Sequence, residues 1–405
     1  MLIFGHFRSY LRATAALPIA MAALAAGHVS PALAAAPYTV LYTFQGTTDG
    51  DTPNGNLVAD SAGNLYGTAY GGGKHCNGYG CGVVFEITPR GREKVLYTFA
   101  GRSDGSGPQG GVIGDKKGNL YGTATTGGTG YGGVVFEITP RGREKVLYAF
   151  TDGSDGGAPE TGVIRDKKGN LYGTTDLFGR YYYGTVFKLA PDGTETTLYS
   201  FTGGSDGFFP SGLIEDKAGN LYGTTLDGGA HGSGTVFRLA PDGTLTVLHS
   251  FGSSGDGVQP AAGVIEDKAG NLYGTTLEGG ASDRGTVFKL APDDTETVLY
   301  SFARGSYAWY PNGLIEDKKG NFYGTTQYGG STNCFDNGCG SVFKLAPDGT
   351  GTVLYAFAGG SDGGRPYTGV IEDSASNLYG TTSRGGAGNC AGKGMGCGVV
   401  FEIKE

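Results

Sequence analysis

Apolar side chains in this chain come in bursts of four to six residues, separated by glycine, aspartate and asparagine. The stretch from Pro210 to Phe251 shows the pattern. Residues 212–215, 220–225, 234–239 and 246–251 are short, β-branched or aromatic, and bounded by turn residues, which predicts four strands. Asp216-Lys217-Ala218-Gly219-Asn220 and Pro241-Asp242-Gly243-Thr244 place glycine where a tight hairpin needs positive φ. The other two connections are longer and glycine-rich. Val236-Phe237 and Leu248 with Phe251 put apolar groups on both strand faces, which suits a sheet packed between two neighbours. No segment carries a helical period.

The pattern repeats. Asn-Leu/Phe-Tyr-Gly recurs with its tyrosine at Tyr66, Tyr121, Tyr172, Tyr222, Tyr273, Tyr323 and Tyr379. Val-Phe-x-Leu/Ile recurs at Phe85, Phe136, Phe187, Phe237, Phe288, Phe343 and Phe401. Two independent markers with one period define seven repeats of about 50–57 residues over residues 35–405. Seven four-stranded antiparallel units predict an all-β, closed seven-bladed β-propeller, with an open solenoid as the alternative. The ends favour closure. Residues 39–44 read as a fourth strand without a third, and residues 399–403 as a third strand without a fourth. Pairing them completes the last blade and removes an open edge.

The repeat, read as Asp216-Lys217-Ala218-Gly219-Asn220-Leu221-Tyr222-Gly223-Thr224-Thr225, then Gly228-Gly229, then Gly234-Thr235-Val236-Phe237, resembles the one that defines the choice-of-anchor tandem repeat GloVer-containing proteins. The resemblance spans essentially the whole chain after its first 34 residues. It implies export and a propeller, and brings no assigned catalytic residues.

Residues 1–34 read as a secretory signal peptide. Arg8 and Arg12 form a positive start, Ala13 to Ala26 an apolar stretch, and Ala32-Leu33-Ala34 a small-x-small cleavage site. A retained anchor is the alternative. Removing the two arginines takes the formal charge from −8 to −10, a poor match to a phosphate backbone, so no nucleic-acid partner is expected. The mature chain has no apolar run long enough to span a bilayer and no visible C-terminal anchor. A secreted or periplasmic, monomeric protein is expected. Eighty glycines without a G-X-Y period exclude collagen, and 38% hydrophobic residues argue against disorder.

Cys76 and Cys81, Cys334 and Cys339, and Cys390 and Cys397 each fall within one loop between strands two and three. An even count, local pairing and export imply three local disulfides, with zinc as the less favoured reading. Asp49, Asp104, Asp155, Asp206, Asp256 and Asp362 each open an Asp-Gly-x-x-Pro loop. Their expected role is to accept backbone N–H bonds in a turn, and Ca²⁺ is the alternative. No cofactor or metal motif is visible.

The tight turns are nearly alike from repeat to repeat, while the long loops differ, so binding is expected on the long-loop face. Repeat six replaces Asp-Gly by Tyr307-Ala308 and continues Trp309-Tyr310-Pro311, with Trp309 the only tryptophan. Phe208-Phe209 and Tyr181-Tyr182-Tyr183 belong to the same face. Arg180, Arg284, Arg365, Asp227 and Glu278 supply polar groups nearby. The aromatics either cap blade edges or form a stacking platform for a sugar. His75, His231 and His249 follow the leader without a triad or metal spacing, and His249 stands in a fourth-strand tyrosine position. The leading expectation is a binding propeller for polysaccharide or a cell-envelope partner. A polysaccharide lyase or glycoside hydrolase, and a structural envelope protein, are the rivals.

Overall fold

The computed structural model describes residues 36–405 except 75, 77–79, 304–307, 331–336, 387, 389 and 391–395. The expected leader, His75, Tyr307 and Cys334 therefore lie outside the described residues. The described chain forms seven four-stranded antiparallel sheets, set as blades in a ring. Blades are numbered here by their first strands, which begin at Val58, Val112, Ile164, Phe208, Ile265, Trp309 and Ile371. Blade 4 runs Phe208–Glu215, Leu221–Asp227, Thr235–Leu239 and Leu245–Ser250. Blade 7 joins Ile371–Glu372, Leu378–Thr382 and Val399–Ile403 to the N-terminal strand Tyr38–Thr43. Tyr38 pairs with Ile403 and Thr43 with Val399, so the first strand of the chain closes the last blade. It begins one residue before the expected segment.

Each recurring residue has a physical task. In blade 4, Asp216 Oδ1 accepts the N–H groups of Ala218 and Asn220 at 2.8 and 2.9 Å. Its Oδ2 accepts Asn220 Nδ2 at 2.7 Å and the Tyr222 hydroxyl at 3.3 Å. Asn and Tyr of the motif thus bind the turn that precedes them. Leu221 is buried in the cluster shared with blade 3. Gly223 is required by contact: a Cβ there would lie 2.7 Å from Phe237 Cζ.

The same phenylalanine joins neighbouring blades. Phe201, after the outer strand of blade 3, meets Phe237 of blade 4 edge-on, with ring centroids 5.3 Å apart. All seven junctions repeat this contact, from Phe44 with Phe85 to Phe357 with Phe401. The core is therefore a set of clusters between blades, each built from two consecutive repeats.

The Asp-Gly loops behave as turns. Asp206 Oδ2 accepts Thr202 N at 2.8 Å and the Tyr199 hydroxyl at 3.0 Å, and Asp49, Asp104, Asp155 and Asp362 accept the equivalent pair. Cys76–Cys81 and Cys390–Cys397 are disulfides, with Cα atoms 5.6 and 5.2 Å apart. Cys339 is disulfide-bonded as well. The two described bridges press on glycines of the following loops: a Cβ on Gly101 or Gly46 would lie 2.3 Å from a bridge sulfur. Among the described residues no helix is long and apolar enough to cross a membrane.

The carboxylates give stability a predictable pH profile. Burial pushes the turn aspartates up, but the bonds they accept outweigh it, and Asp216 and its six equivalents sit below the ordinary value of 3.8. Their contribution is complete above that value and is lost as the pH falls through the folded one. Glu93 and Glu144 move the other way. Burial first, then the neighbouring Asp49 or Asp104, lifts each from 4.5 to about 7. A raised folded value favours the protonated fold, so that contribution is present below 4.5 and lost as the pH rises through 7. The melting temperature is expected to peak near about pH 5 and to fall on both sides. Replacing both residues, Glu93→Gln with Glu144→Gln, should flatten the alkaline limb. Calorimetry from pH 3 to 8 checks this, and a wild-type profile flat above pH 5 contradicts it.

Candidate functional site

The residue before the loop proline has positive φ in every blade: Thr52, Gly107, Ala158, Phe209, Gln259, Tyr310 and Arg365 lie between 54 and 70°. Side chains other than glycine rarely adopt this region, least of all before proline. Backbone bonds hold it in place. The Gln259 N–H donates to Ser233 C=O of the preceding blade at 2.9 Å, and its C=O accepts Leu277 N at 3.0 Å. Because the backbone makes the joint, the side chain is free to vary. Seven chemistries are therefore displayed from one position around the long-loop face.

Blades 4 and 6 differ by one residue. Pro210-Ser211-Gly212 and Pro311-Asn312-Gly313 are one shorter than segments such as Pro159-Glu160-Thr161-Gly162. Their first strands consequently extend to eight residues, Phe208–Glu215 and Trp309–Glu316, where the other blades have two or three. In blade 6 this places Trp309 opposite Tyr328. The two rings lie 4.8 Å apart at 31°, and Tyr310 stands edge-on to both at 5.3 Å. Arg284 lies over Trp309 at 4.3 Å, and Arg365 over Tyr328 at 5.1 Å. The Tyr310 hydroxyl donates to Glu278. Burial, then that carboxylate, pushes Tyr310 up to about 12. All of these groups are half-buried. The result is an aromatic shelf edged by two guanidinium groups and a carboxylate. Such a surface offers C–H stacking, cation–π attraction and directional hydrogen bonds together.

Of the expected site residues, the structure thus unites Trp309, Tyr310, Arg284 and Arg365. It sets Phe208, Phe209, Arg180, Tyr181 and Tyr182 apart, at blades 3 and 4. Phe208 contacts Tyr183 and Phe209 at 5.6 and 5.0 Å, and Arg180 lies over Tyr181 at 5.4 Å. Tyr182 is 73% exposed. Tyr328 is a shelf residue that sequence reasoning missed. Its signal was indirect, because the partner of Trp309 emerges only when both strands are lengthened.

At the ring axis a cavity of about 490 Å³ opens among the first strands, just below the loop prolines. One wall is apolar, with Phe209, Leu213 and Leu226. Another carries Asn54, Gln109, Glu160 and Asp176. Burial, then Glu160, raises the Asp176 carboxyl well above the ordinary range, and burial raises Glu160. Sequence reasoning singled out neither residue, although each is the only carboxylate at its place in the seven repeats.

His249, Asp256 and Glu296 bring one potential ligand atom each within 4.8 Å of one another. His249 Nε2 lies 3.0 Å from Asp256 Oδ2. Other junctions carry Tyr42–Asp49, Tyr97–Asp104 and Tyr199–Asp206 in the same arrangement, so this group is the form that a structural joint takes between blades 4 and 5.

Solved structures show the same architecture. The chain is 11% identical to a catalytically inactive virginiamycin B lyase from Staphylococcus aureus with quinupristin, at a TM-score of 0.56, covering 91% of this chain and 100% of that one. The extracellular domain of a one-component system from B. thetaiotaomicron is 15% identical at a TM-score of 0.54, covering 94% and 42%. That of a hybrid two-component system from the same organism is 12% identical at 0.53, covering 92% and 41%. At these identities the likeness is one of fold. No curated protein matches the chain. The Gloeobacter/Verrucomicrobia repeat is matched over residues 27–177 and 161–394. The chain belongs to the Gloeobacter/Verrucomicrobia repeat family.

Proposed function

We propose that this chain is an exported binding propeller whose long-loop face recognises carbohydrate, either free or displayed on a cell-envelope partner. The observation that carries the reading is the shelf of Trp309, Tyr310 and Tyr328, edged by Arg284, Arg365 and Glu278. A half-buried aromatic cluster suits a sugar ring, whose C–H face stacks while its hydroxyls reach charged neighbours. Export is supported by the leader-like residues 1–34 and by local disulfides, which persist in oxidising compartments.

Trp309 is the only tryptophan, so it reports on its own site. Titration with a bound oligosaccharide is expected to change its fluorescence saturably. Trp309→Ala should weaken binding by about 1–3 kcal/mol, the range for an aromatic anchor, and leave the melting temperature within a few degrees of wild type. A variant that binds normally, or that mainly loses stability, would remove the shelf from the site. A turnover assay on the same oligosaccharides separates this reading from a lyase or hydrolase, and no product is expected.

A further inference from the structure

The aromatic shelf gathers more positive charge than its two ring contacts show. One place of the repeat, two residues after Thr225 in blade 4, holds Glu278, Tyr328 and Arg384 in blades 5, 6 and 7. Arg384 is tied to the neighbour of Arg365. Its N–H donates to Gly364 C=O at 3.0 Å, and Gly364 N donates back to Arg384 C=O at 2.9 Å. Burial first, then the charge of Arg365, holds the Arg384 guanidinium below its ordinary value, while Tyr367 and Tyr328 act the other way. Arg365 itself lies over the Tyr328 ring. In blade order the surface thus runs from the carboxylate of Glu278, through the rings, to two guanidinium groups.

The acids of the adjoining blade 5 loop are engaged by the protein itself. Glu278 accepts the Tyr310 hydroxyl, and Asp283 Oδ1 accepts Gly279 N at 3.0 Å. Among the described residues no carboxylate forms an ion pair with Arg284, which lies over Trp309. A guanidinium over a ring gives the ring its face and keeps its N–H donors, which lie in its own plane, for acceptors at its edge. Arg284, Arg365 and Arg384 are each the sole cationic residue at their place in the seven repeats, so the fold itself requires none of them. The whole chain carries a formal charge of −8, so this gathering of cations is local and not a general surplus.

We infer that the shelf takes an anionic glycan: a sugar ring stacks on Trp309 and Tyr328, and its negative group, a uronate carboxylate or a sulfate ester, is held by Arg365 and Arg384. The inference rests on the carbohydrate reading of the shelf and adds the charge class of the ligand. Both anions present paired oxygens to the guanidinium fork, which binds such pairs by two parallel hydrogen bonds. An anion also relieves the repulsion between two cations held side by side. Arg284 adds a third positive charge beside Trp309. Glu278 repels the same group from its own edge, which sets the direction in which the sugar lies.

The test follows Trp309 fluorescence during titration of the protein with two matched pairs of oligosaccharides. One pair is tetragalacturonate and its methyl ester, and the other is a κ-carrageenan hexasaccharide and its desulfated form. At least tenfold tighter binding of a charged member than of its neutral partner is expected, shrinking as salt is raised from about 50 to about 300 mM, and the pair that shows it identifies the anion. Arg384→Gln should reduce that charged-to-neutral ratio at least fivefold, and Arg384→Lys, which keeps the charge, should reduce it less. Neutral members that bind as tightly as charged ones, or an unchanged ratio in the folded Arg384→Gln variant, would overturn the inference and leave the shelf a carbohydrate site. No saturable change with any of the four would remove the carbohydrate reading, and the inference with it.

Discussion

Deleting residues 35–45 is expected to lower the melting temperature by more than about 10 °C or to drive association into larger species than the parent forms. The deletion removes Tyr38–Thr43, leaving Val399–Ile403 as a bare edge in blade 7. It also removes Phe44, which is fully buried and meets Phe85 of blade 1 at 5.1 Å. Tyr38 would no longer stack on Tyr355 at 3.8 Å or pack beside Phe357 and Phe401. Each large apolar side chain of this kind contributes about 1.5–3 kcal/mol by burial. Losing several at one junction takes away much of a typical margin of about 5–15 kcal/mol. The exposed strand edge would then template pairing with a second copy. Thermal melts with light scattering after size exclusion check this. A truncated protein that melts and elutes with the parent would show that the ring does not depend on its closing strand.

Phe237→Ala is expected to cost about 3–5 kcal/mol, since it removes a fully buried ring from the junction of blades 3 and 4. Gly223→Ala is expected to cost about 1–3 kcal/mol, because its methyl group is forced against Phe237 at 2.7 Å and Leu213 at 3.0 Å. The two costs should not add. Once the ring is gone, the methyl group enters the vacated space, so the double variant should be more stable than the sum by about 1 kcal/mol or more. Denaturant midpoints for the four proteins measure the coupling. Strict additivity would mean that the glycine of Asn-Leu-Tyr-Gly serves some purpose other than clearing the phenylalanine.

The repeat count, the split last blade and the turn role of Asp-Gly were legible because each depends on local chemistry repeated seven times. Glycine at Gly219 or Gly243 and aspartate at Asp216 announce a turn wherever they occur. The first strand was less legible. The sequence of blade 4 predicts a first strand over residues 212–215 where Phe208–Glu215 is found, whereas blade 1 has only Val58–Ala59. A single residue fewer after Pro210 and Pro311 makes that difference, and it acts through register rather than composition. The pairing of Trp309 with Tyr328 was hidden for the same reason. The positive φ at Thr52, Phe209 and Tyr310 had no compositional sign, because tertiary hydrogen bonds impose it on residues that do not favour it. Asp176 and Glu160 were visible in principle, as the odd residues in two aligned columns, but their proximity needed the fold.

Binding of the purified protein to an immobilised glycan panel tests the central claim most directly. Wild type should be compared with Trp309→Ala, with Tyr328→Ala and with Lys217→Ala, which lies in a tight turn away from the shelf. The account predicts that wild type and Lys217→Ala retain the same class of glycan, and that both shelf variants lose it while melting close to wild type. A wild-type protein that retains no glycan, or shelf variants that bind as it does, would contradict the account.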